Sequence, residues 1–382
     1  MEFRFEPSFW EYMLLAILLL AAIGTFLFQF KIYRIIPLYT PPSPKATKQG
    51  VSVILSGKNH YESLKQNLEF WLKQDYPEFE VIVVHERTDE ETHHLLESMA
   101  RKYPMLREVN ANQSINFFDE EKFSLSIGVR AARYDCVILT TPVYRPVSSR
   151  CIDSMQAAFG NGVNAVIGRV VSQNAPKKIC SFRHFLEARR RLEYIGFALQ
   201  GKAFTAERKL VAYRKNFFLE HQGYTGSYAI ETGEFDLLAK HIKASGNVCV
   251  QIAAEATVIP VTALPVTAVK AEKAYQNILS CQQTPASGII RAYHILNSLI
   301  LITFLAGCIL FGFQIGQTGT ESFPGWFCYF LGIGVLHFGY QAFSMQKAGN
   351  KLQSGLFWFA IPVYGFLYIS LLFALLARIR QR

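Results

Sequence analysis

Cysteine is scarce and unordered in this chain. The seven cysteines are scattered, odd in number and never spaced as Cys-x-x-Cys. That argues against a zinc site and against a disulfide framework. Cys308 and Cys328 fall in apolar blocks and read as small packing residues. No nucleic-acid module is visible. Charge is absent from Tyr12–Phe30, and charged residues that would mark a transport pathway are missing from the apolar blocks, which argues against a transporter. The N-terminal segment also lacks the marks of a cleaved leader. Glu2, Glu6 and Glu11 precede the apolar run instead of a basic stretch, and no small-x-small site follows it. An uncleaved anchor is the reading, with a signal peptide as its rival.

What is abundant is apolar surface and positive charge. The chain is 51% hydrophobic with a net charge of +10, and its mean hydropathy is +0.16. Basic residues flanking membrane spans would account for the charge. Attraction of a diphosphate or other acidic substrate is the alternative. Lys31, Arg34, Lys45 and Lys48 place the carboxyl end of the first apolar block in the cytoplasm. Tyr39–Pro44 then reads as a short stiff linker. Three further apolar blocks, Ile295–Phe313, Trp326–Phe343 and Leu356–Ala377, are each long enough to span, the middle one weakest because of His337 and Gln341. Arg378, Arg380 and Arg382 favour an internal C-terminus, which four full spans do not permit. The domain layout is therefore an anchor and linker over 1–50, a cytoplasmic α/β domain over 51–280, and a membrane region over 281–382.

Within the middle region, Val137–Leu139 is a short continuous apolar run, as a strand buried on both faces of a parallel sheet is, and Val51–Leu55 and Glu80–Val84 read as two more buried strands. Leu64, Leu68, Trp71 and Leu72 recur at helical spacing between the first two, and Tyr76-Pro77 ends that helix. A second helix spans Thr92–Tyr103. This β-α-β-α order predicts parallel strands with right-handed crossovers. Pro142 and Pro146 stop the third strand near Thr140. Thr141–Arg145 then sits at a carboxyl edge, where open α/β sheets bind ligands. Val248–Ile252 and Ala256–Pro260 read as two late strands. Phe182–Leu199 is an amphipathic helix with Arg183, Arg189, Arg190 and Arg191 on or near its polar face. It suits either the membrane surface or an ordinary cover for the sheet.

The order of several motifs over Val51–Ile278 resembles the family 2 glycosyltransferases. Asn59, Gln74, Tyr76, Pro77 and Glu80–Val84 match the opening half of that family. Lys122, Leu125, Gly128, Ala131 and Ala132 match its lysine-bearing helix, with Glu120 and Glu121 in place of Gly-Lys. Thr140, Arg145 and Pro146 match the strand that carries Asp-x-Asp, but Thr141 and Val143 replace both aspartates. Val211–Gly223 matches the family's Ala-Tyr-Arg-Lys segment on the acceptor side. Gly233–Leu238 resembles the acidic segment that opens a helix and carries the base.

The resemblance implies a GT-A-like, Rossmann-related fold and an inverting transfer from a nucleotide-sugar donor to a lipid-linked or polysaccharide acceptor. It implies a substrate contact at Asn59 and a nucleoside contact at Glu86, where Glu86 keeps one carboxylate of an Asp-Asp pair. Lys122 and Arg145 would meet the phosphates, Lys273 the diphosphate or acceptor, and Glu234 or Asp236 would be the base. Lys122 reads equally as a solvated lysine, and Glu234 and Asp236 as first-turn helix acids. The family expects Mg²⁺ or Mn²⁺, but Thr-Pro-Val removes its main carboxylate ligands here. The enzyme therefore competes with a second reading, a non-catalytic relative that binds a glycan, a lipid or a partner protein at the membrane.

Overall fold

The computed structural model describes residues 2–4, 8–44, 47–57, 60–86, 89–111, 120–171, 182–225, 235–236, 247–261, 268–281, 284–318 and 322–352. The chain opens with strand β1 (Glu2–Arg4), helix α1 (Phe9–Ile32) and the short α2 (Ile35–Leu38). The alternating stretch follows: β2 (Val51–Ser56), α3 (Tyr61–Leu72), β3 (Phe79–Glu86), α4 (Glu90–Lys102), β4 (Leu106–Ala111), α5 (Glu120–Ala131) and β5 (Cys136–Thr140). Then come β6 (Tyr144–Pro146), α6 (Cys151–Ala157), β7 (Ala165–Ile167), β8 (Arg169–Val170), α7 (Phe182–Ala198), β9 (Ala206–Glu207), β10 (Val211–Arg214) and α8 (Lys215–Glu220). The last elements are β11 (Phe235–Asp236), β12 (Val248–Val250), β13 (Thr257–Pro260), α9 (Ala268–Cys281), α10 (Pro285–Thr318), β14 (Ser322–Pro324) and α11 (Trp326–Leu352).

The chain divides into two compact units. One comprises Tyr39–Asn174 and Tyr194–Ala286 and is built on a seven-stranded sheet of order β12-β7-β10-β5-β2-β3-β4. The three apolar runs read as strands are neighbours in it, all parallel, with Val53 opposite both Val81 and Ile138. Continuous burial of β2 and β5 is why both are mostly apolar, and the buried Ser52 of β2 is satisfied by Glu80. Strand β10 lies between β5 and β7, antiparallel to both, so the sheet is mixed. Edge strand β4 carries Arg107, Glu108 and Asn110, a charged pattern that hides a strand from a hydrophobicity reading and protects an edge from pairing.

Helix α3 buries the anticipated Leu64, Leu68, Trp71 and Leu72 in one core with Val53, Val83 and Ile138. Helix α5 crosses the other face of β2 and β3 at Gly128. A Cβ there would stand 2.6 Å from Ile54 Cγ2 and 2.9 Å from Val84 Cγ2, so only glycine lets the helix approach. Near the amino end of β3, the buried Glu80 carboxylate accepts hydrogen bonds from Ser52 Oγ, Arg107 Nη1 and the Arg133 amide, each at 2.6 Å. Burial alone would raise its pKa, but these donors outweigh it and hold the carboxyl below its ordinary value. The linker joins this unit by side-chain bonds. Tyr39 donates to the Val250 carbonyl at 2.8 Å, Gln251 Nε2 to the Pro42 carbonyl at 3.0 Å, and Lys48 pairs with Asp153 at 3.2 Å. Cys136 and Cys151 are buried, and burial pushes both thiols up to about 12, as packing cysteines require.

The other unit comprises Met1–Leu38, Ala175–Glu193 and Ser287–Arg382. Phe9–Leu38 and Pro285–Gly316 are two segments long and apolar enough to cross a membrane. They contain the blocks Tyr12–Phe30 and Ile295–Phe313. Much of their apolar surface faces outward, with Leu20 69% and Ile309 71% exposed. Helix α11 covers Trp326–Phe343, and Leu356–Ala377 lies outside the described residues. Close packing of α10 on α11 depends on Gly307, where a Cβ would fall 2.2 Å from the Phe330 ring. Polar side chains also tie the helices. Gln341 Nε2 donates to Tyr293 Oη at 3.2 Å and to Asn297 Oδ1 at 3.1 Å, and Ser344 Oγ to Gln29 Oε1 at 3.1 Å.

Helix α7 differs from its sequence reading. Arg189, Arg190 and Arg191 are buried, not presented to solvent or a lipid surface. Arg189 pairs with Glu193 at 3.2 Å and Arg183 with Glu187 at 2.9 Å, and His294 shares Glu193 at 2.9 Å. Carboxylates one helical turn away make burial of these guanidinium groups tolerable.

Candidate functional site

Strand β5 leads to the site. Its last residue, Thr140, is fully buried and donates through Oγ1 to the Lys209 carbonyl at 2.7 Å. The chain then turns, with the Tyr144 amide bonded to the Thr141 carbonyl at 3.1 Å. Helix α3 fixes this turn from behind. Asn67 Nδ2 donates to the Pro142 carbonyl at 2.9 Å, and Trp71 Nε1 to the Tyr144 carbonyl at 3.0 Å. Val143 points into the core and is 8% exposed. The position that would bear the second aspartate is thus a packing position. Arg145, half-buried on β6, stacks its guanidinium 4.6 Å from the centre of the Phe70 ring.

The structure brings two further cations to this edge. β10 runs antiparallel to β5, so its entry, Glu207–Leu210, lies beside the end of β5. Lys209 Nζ sits 5.6 Å from the centre of the Tyr144 ring and 3.6 Å from Glu207 Oε2. Arg208 Nη2 donates to Glu121 Oε2 at 3.0 Å, linking this turn to the start of α5. Arg208, Lys209 and Glu207 are all buried. Sequence reading missed them. Their signal was a charged triplet directly before the apolar run Leu210–Ala212, an unusual place for three ionised side chains.

Lys122 on α5 is 1% exposed, which removes the solvated-lysine alternative. Asp236 arrives by another route. Its strand β11 pairs with β9, Asp236 opposite Ala206 and Phe235 opposite Glu207, within a few residues of Lys209. Of the acidic segment Gly233–Leu238, the described residues Phe235–Asp236 form a two-residue strand paired with β9, and the rest lies outside the described residues. Glu234 lies outside the described residues, as does Asn59. Glu86 closes β3 opposite Ala111 in β4. Lys273 stands exposed on α9, where it makes no hydrogen bond or ion pair with a described residue.

At the end of β3, His85 is engaged by Glu108 on the neighbouring strand β4. Its Nε2 meets Glu108 Oε1 at 2.7 Å, and His93 Nδ1 meets the same oxygen at 2.9 Å. The Glu108 hydrogen bond raises the pKa of the exposed His93 above its ordinary value. At the end of β2, Gly57 is overlain by the His60 ring, whose pKa burial lowers.

The residues at the Asp-x-Asp position do not fit a divalent ion. Thr141 supplies one neutral hydroxyl and Val143 is occupied by the core. Among the described residues no group of three His, Cys, Asp or Glu side chains is placed to hold a metal. What the edge does offer is fixed positive charge next to a strand terminus in a largely dry setting, an arrangement suited to a polyanion.

Residues 14–178 match the sequence model described as Glycosyl transferase family 21. No curated protein matches the chain. Among solved structures, it is similar to the mannosyltransferase PcManGT from Pyrobaculum calidifontis in complex with GDP-Man and Mn²⁺. The TM-score is 0.57 at 14% identity, over 90% of this chain and 96% of that one. S. aureus TarS has a TM-score of 0.42 at 13% identity, over 65% of this chain and 43% of that one. TarS 1–349 in complex with UDP-GlcNAc has 0.42 at 10%, over 84% and 92%. Likeness at 0.42 is too loose to argue from. The mannosyltransferase likeness shows the fold alone, an α/β, GT-A-like architecture. The matching family model is that of family 21, and nothing selects family 2.

Proposed function

We propose that this chain is a membrane-anchored glycosyltransferase that moves a sugar from a nucleotide diphosphate donor to a lipid-linked or polysaccharide acceptor. The observation that carries the reading is the cluster at the carboxyl end of β5. Lys209 and Arg208 flank Thr140–Tyr144, and the strand bearing Asp236 runs beside them. In this reading the donor diphosphate lies against Lys209, Arg208 and Lys122, with Arg145 and Lys273 at the periphery. Asn59 and Glu86 hold the nucleoside. Glu121 and Glu207 neutralise the buried cations when no donor is bound, and the diphosphate replaces them as partner. Asp236 or Glu234 takes the proton from the acceptor hydroxyl as that oxygen attacks the sugar carbon. The bond to the diphosphate breaks, and the fixed cations stabilise the leaving group in place of a metal. Helices α1 and α10 cross the membrane, and the basic residues after α1 keep the sheet unit on the cytoplasmic side.

Purified full-length protein in nanodiscs, given UDP-glucose, UDP-GlcNAc or GDP-mannose with a membrane lipid extract, tests this. Sugar transfer that persists in EDTA and falls about 100-fold or more in Asp236→Asn supports it. Transfer that stops in EDTA would overturn the metal-free part.

One observation favours a second reading. Val143 is built into the core, and Asn67 and Trp71 lock the loop, so a former ligand loop serves packing. A non-catalytic relative would bind donor or glycan without turnover in the same assay.

A further inference from the structure

The opposite edge of the sheet carries a pocket. β5 and β7 begin there, and β10 ends there, with Arg214 opposite Cys136 and Tyr213 opposite Ala165. A shallow pocket of about 360 Å³ opens at this edge, lined among others by Asp135, Asn161, Asn164, Arg214, Asn216 and Glu220. Its volume lies toward the lower end of the ligand-site range. Gly162, at φ +75°, and Gly160 carry no side chain into it, and a Cβ at Gly162 would meet nothing within 4 Å.

The lining chemistry selects the ligand. Asn161, Asn164 and Asn216 all line the pocket, and their carboxamides, which both donate and accept, hydrogen-bond to no described residue. Arg214 is already engaged. Its Nη1 donates to Gln49 Oε1 at 2.8 Å and to Asp135 Oδ2 at 3.2 Å, and its guanidinium lies 4.8 Å from the centre of the Phe159 ring. Asp135 also accepts from the Asn216 amide at 3.3 Å. Glu220 is exposed and makes no ion pair with a described residue. With two carboxylates against one committed guanidinium, the pocket disfavours an anion. An apolar ligand would leave the amides unpaired. A neutral ligand rich in hydroxyls, each of which donates and accepts, satisfies the set.

We propose that this amino-edge pocket is a saccharide-binding site, separate from the carboxyl edge and sized for a mono- or disaccharide. It does not rest on sugar transfer at the other edge.

Saturation-transfer NMR on the full chain in nanodiscs tests it, with methyl α-mannoside, methyl β-glucoside, N-acetylglucosamine and cellobiose as probes. Transfer to at least one saccharide is expected, unaffected by excess UDP or GDP. Asn164→Ala should weaken it about tenfold. Asn161→Ala and Asn216→Ala, at exposed positions, give the same effect without risk to folding, which the thermal midpoint checks. Three outcomes overturn the proposal: no transfer to any of the four saccharides, transfer that survives all three substitutions, or transfer removed by UDP or GDP. Displacement by inorganic phosphate would overturn the neutral-ligand assignment.

Discussion

At its carboxyl edge, β5 ends on a buried threonine, and the charged groups around it, Arg208, Lys209, Glu207 and Lys122, are all buried. At its amino edge the same strand begins beside the exposed Asp135, and its neighbours are amides and an arginine already paired. Burial explains the difference in capability. Charges withdrawn from water act strongly on a polyanion but must be paired when it is absent. Groups left in shallow solvent contact interact weakly and suit a neutral ligand that exchanges for water. One sheet thus presents a strongly electrostatic edge and a weakly polar one.

The largest effect should come from removing fixed charge at the first edge. Lys209→Met should cut sugar transfer about 100-fold or more, as loss of a preorganised electrostatic group does. An unchanged rate would reduce Lys209 to a packing residue and break the contrast. Restoring the lost carboxylate is the next test. Val143→Asp places a charge in the core and should cost about 2–4 kcal/mol, with no gain in Mn²⁺ affinity. A folded variant that binds Mn²⁺ would show that the loop can still face the cleft. Asn67→Leu leaves the Pro142 carbonyl without its donor, and a loss of about 1–3 kcal/mol in unfolding free energy is expected, checked by denaturant unfolding.

Two pH effects complete the series. Glu80 has a folded pKa below 4.5. Its contribution is therefore present above that ordinary value and is lost as pH falls through the folded one. Glu80→Gln should be less stable at neutral pH and should flatten the acid limb of stability, measured by unfolding between pH 3 and 6 at about unit intervals. An unchanged acid limb would mean that Ser52 and Arg107 do not hold the carboxylate in solution. His93 is the smallest case. Its folded pKa is raised above 6.5, so its stabilisation is present below that value and disappears as pH rises through the folded one. The group is exposed and screened, and His93→Gln should remove only a slight slope in that window.

Much of the architecture was legible because it is local. Val137–Leu139 is apolar in every residue and Val51–Leu55 in all but Ser52, and α3 repeats its apolar positions at helical spacing. Such patterns report burial directly. The first transmembrane candidate was legible for the same reason. Strand β4 was not, because an edge strand can carry Arg107, Glu108 and Asn110 at no cost. The arginines of α7 misled, because a run of charge looks solvated until its carboxylate partners one turn away are counted. At the candidate site, the absence of carboxylates at Thr141 and Val143 was legible, but not that Val143 packs into the core.

The sequence by itself determined the parallel β2, β3 and β5, the helix that covers them, and the apolar helices at both ends. Only the tertiary structure decided which charges meet. Thr140 bonds Lys209 across 69 residues, and it does so because β10 enters the sheet antiparallel to β5. No periodicity within either segment encodes that pairing. It follows from where the two strands find a shared ladder, and with it the location of Lys209, Arg208 and the strand of Asp236 is fixed.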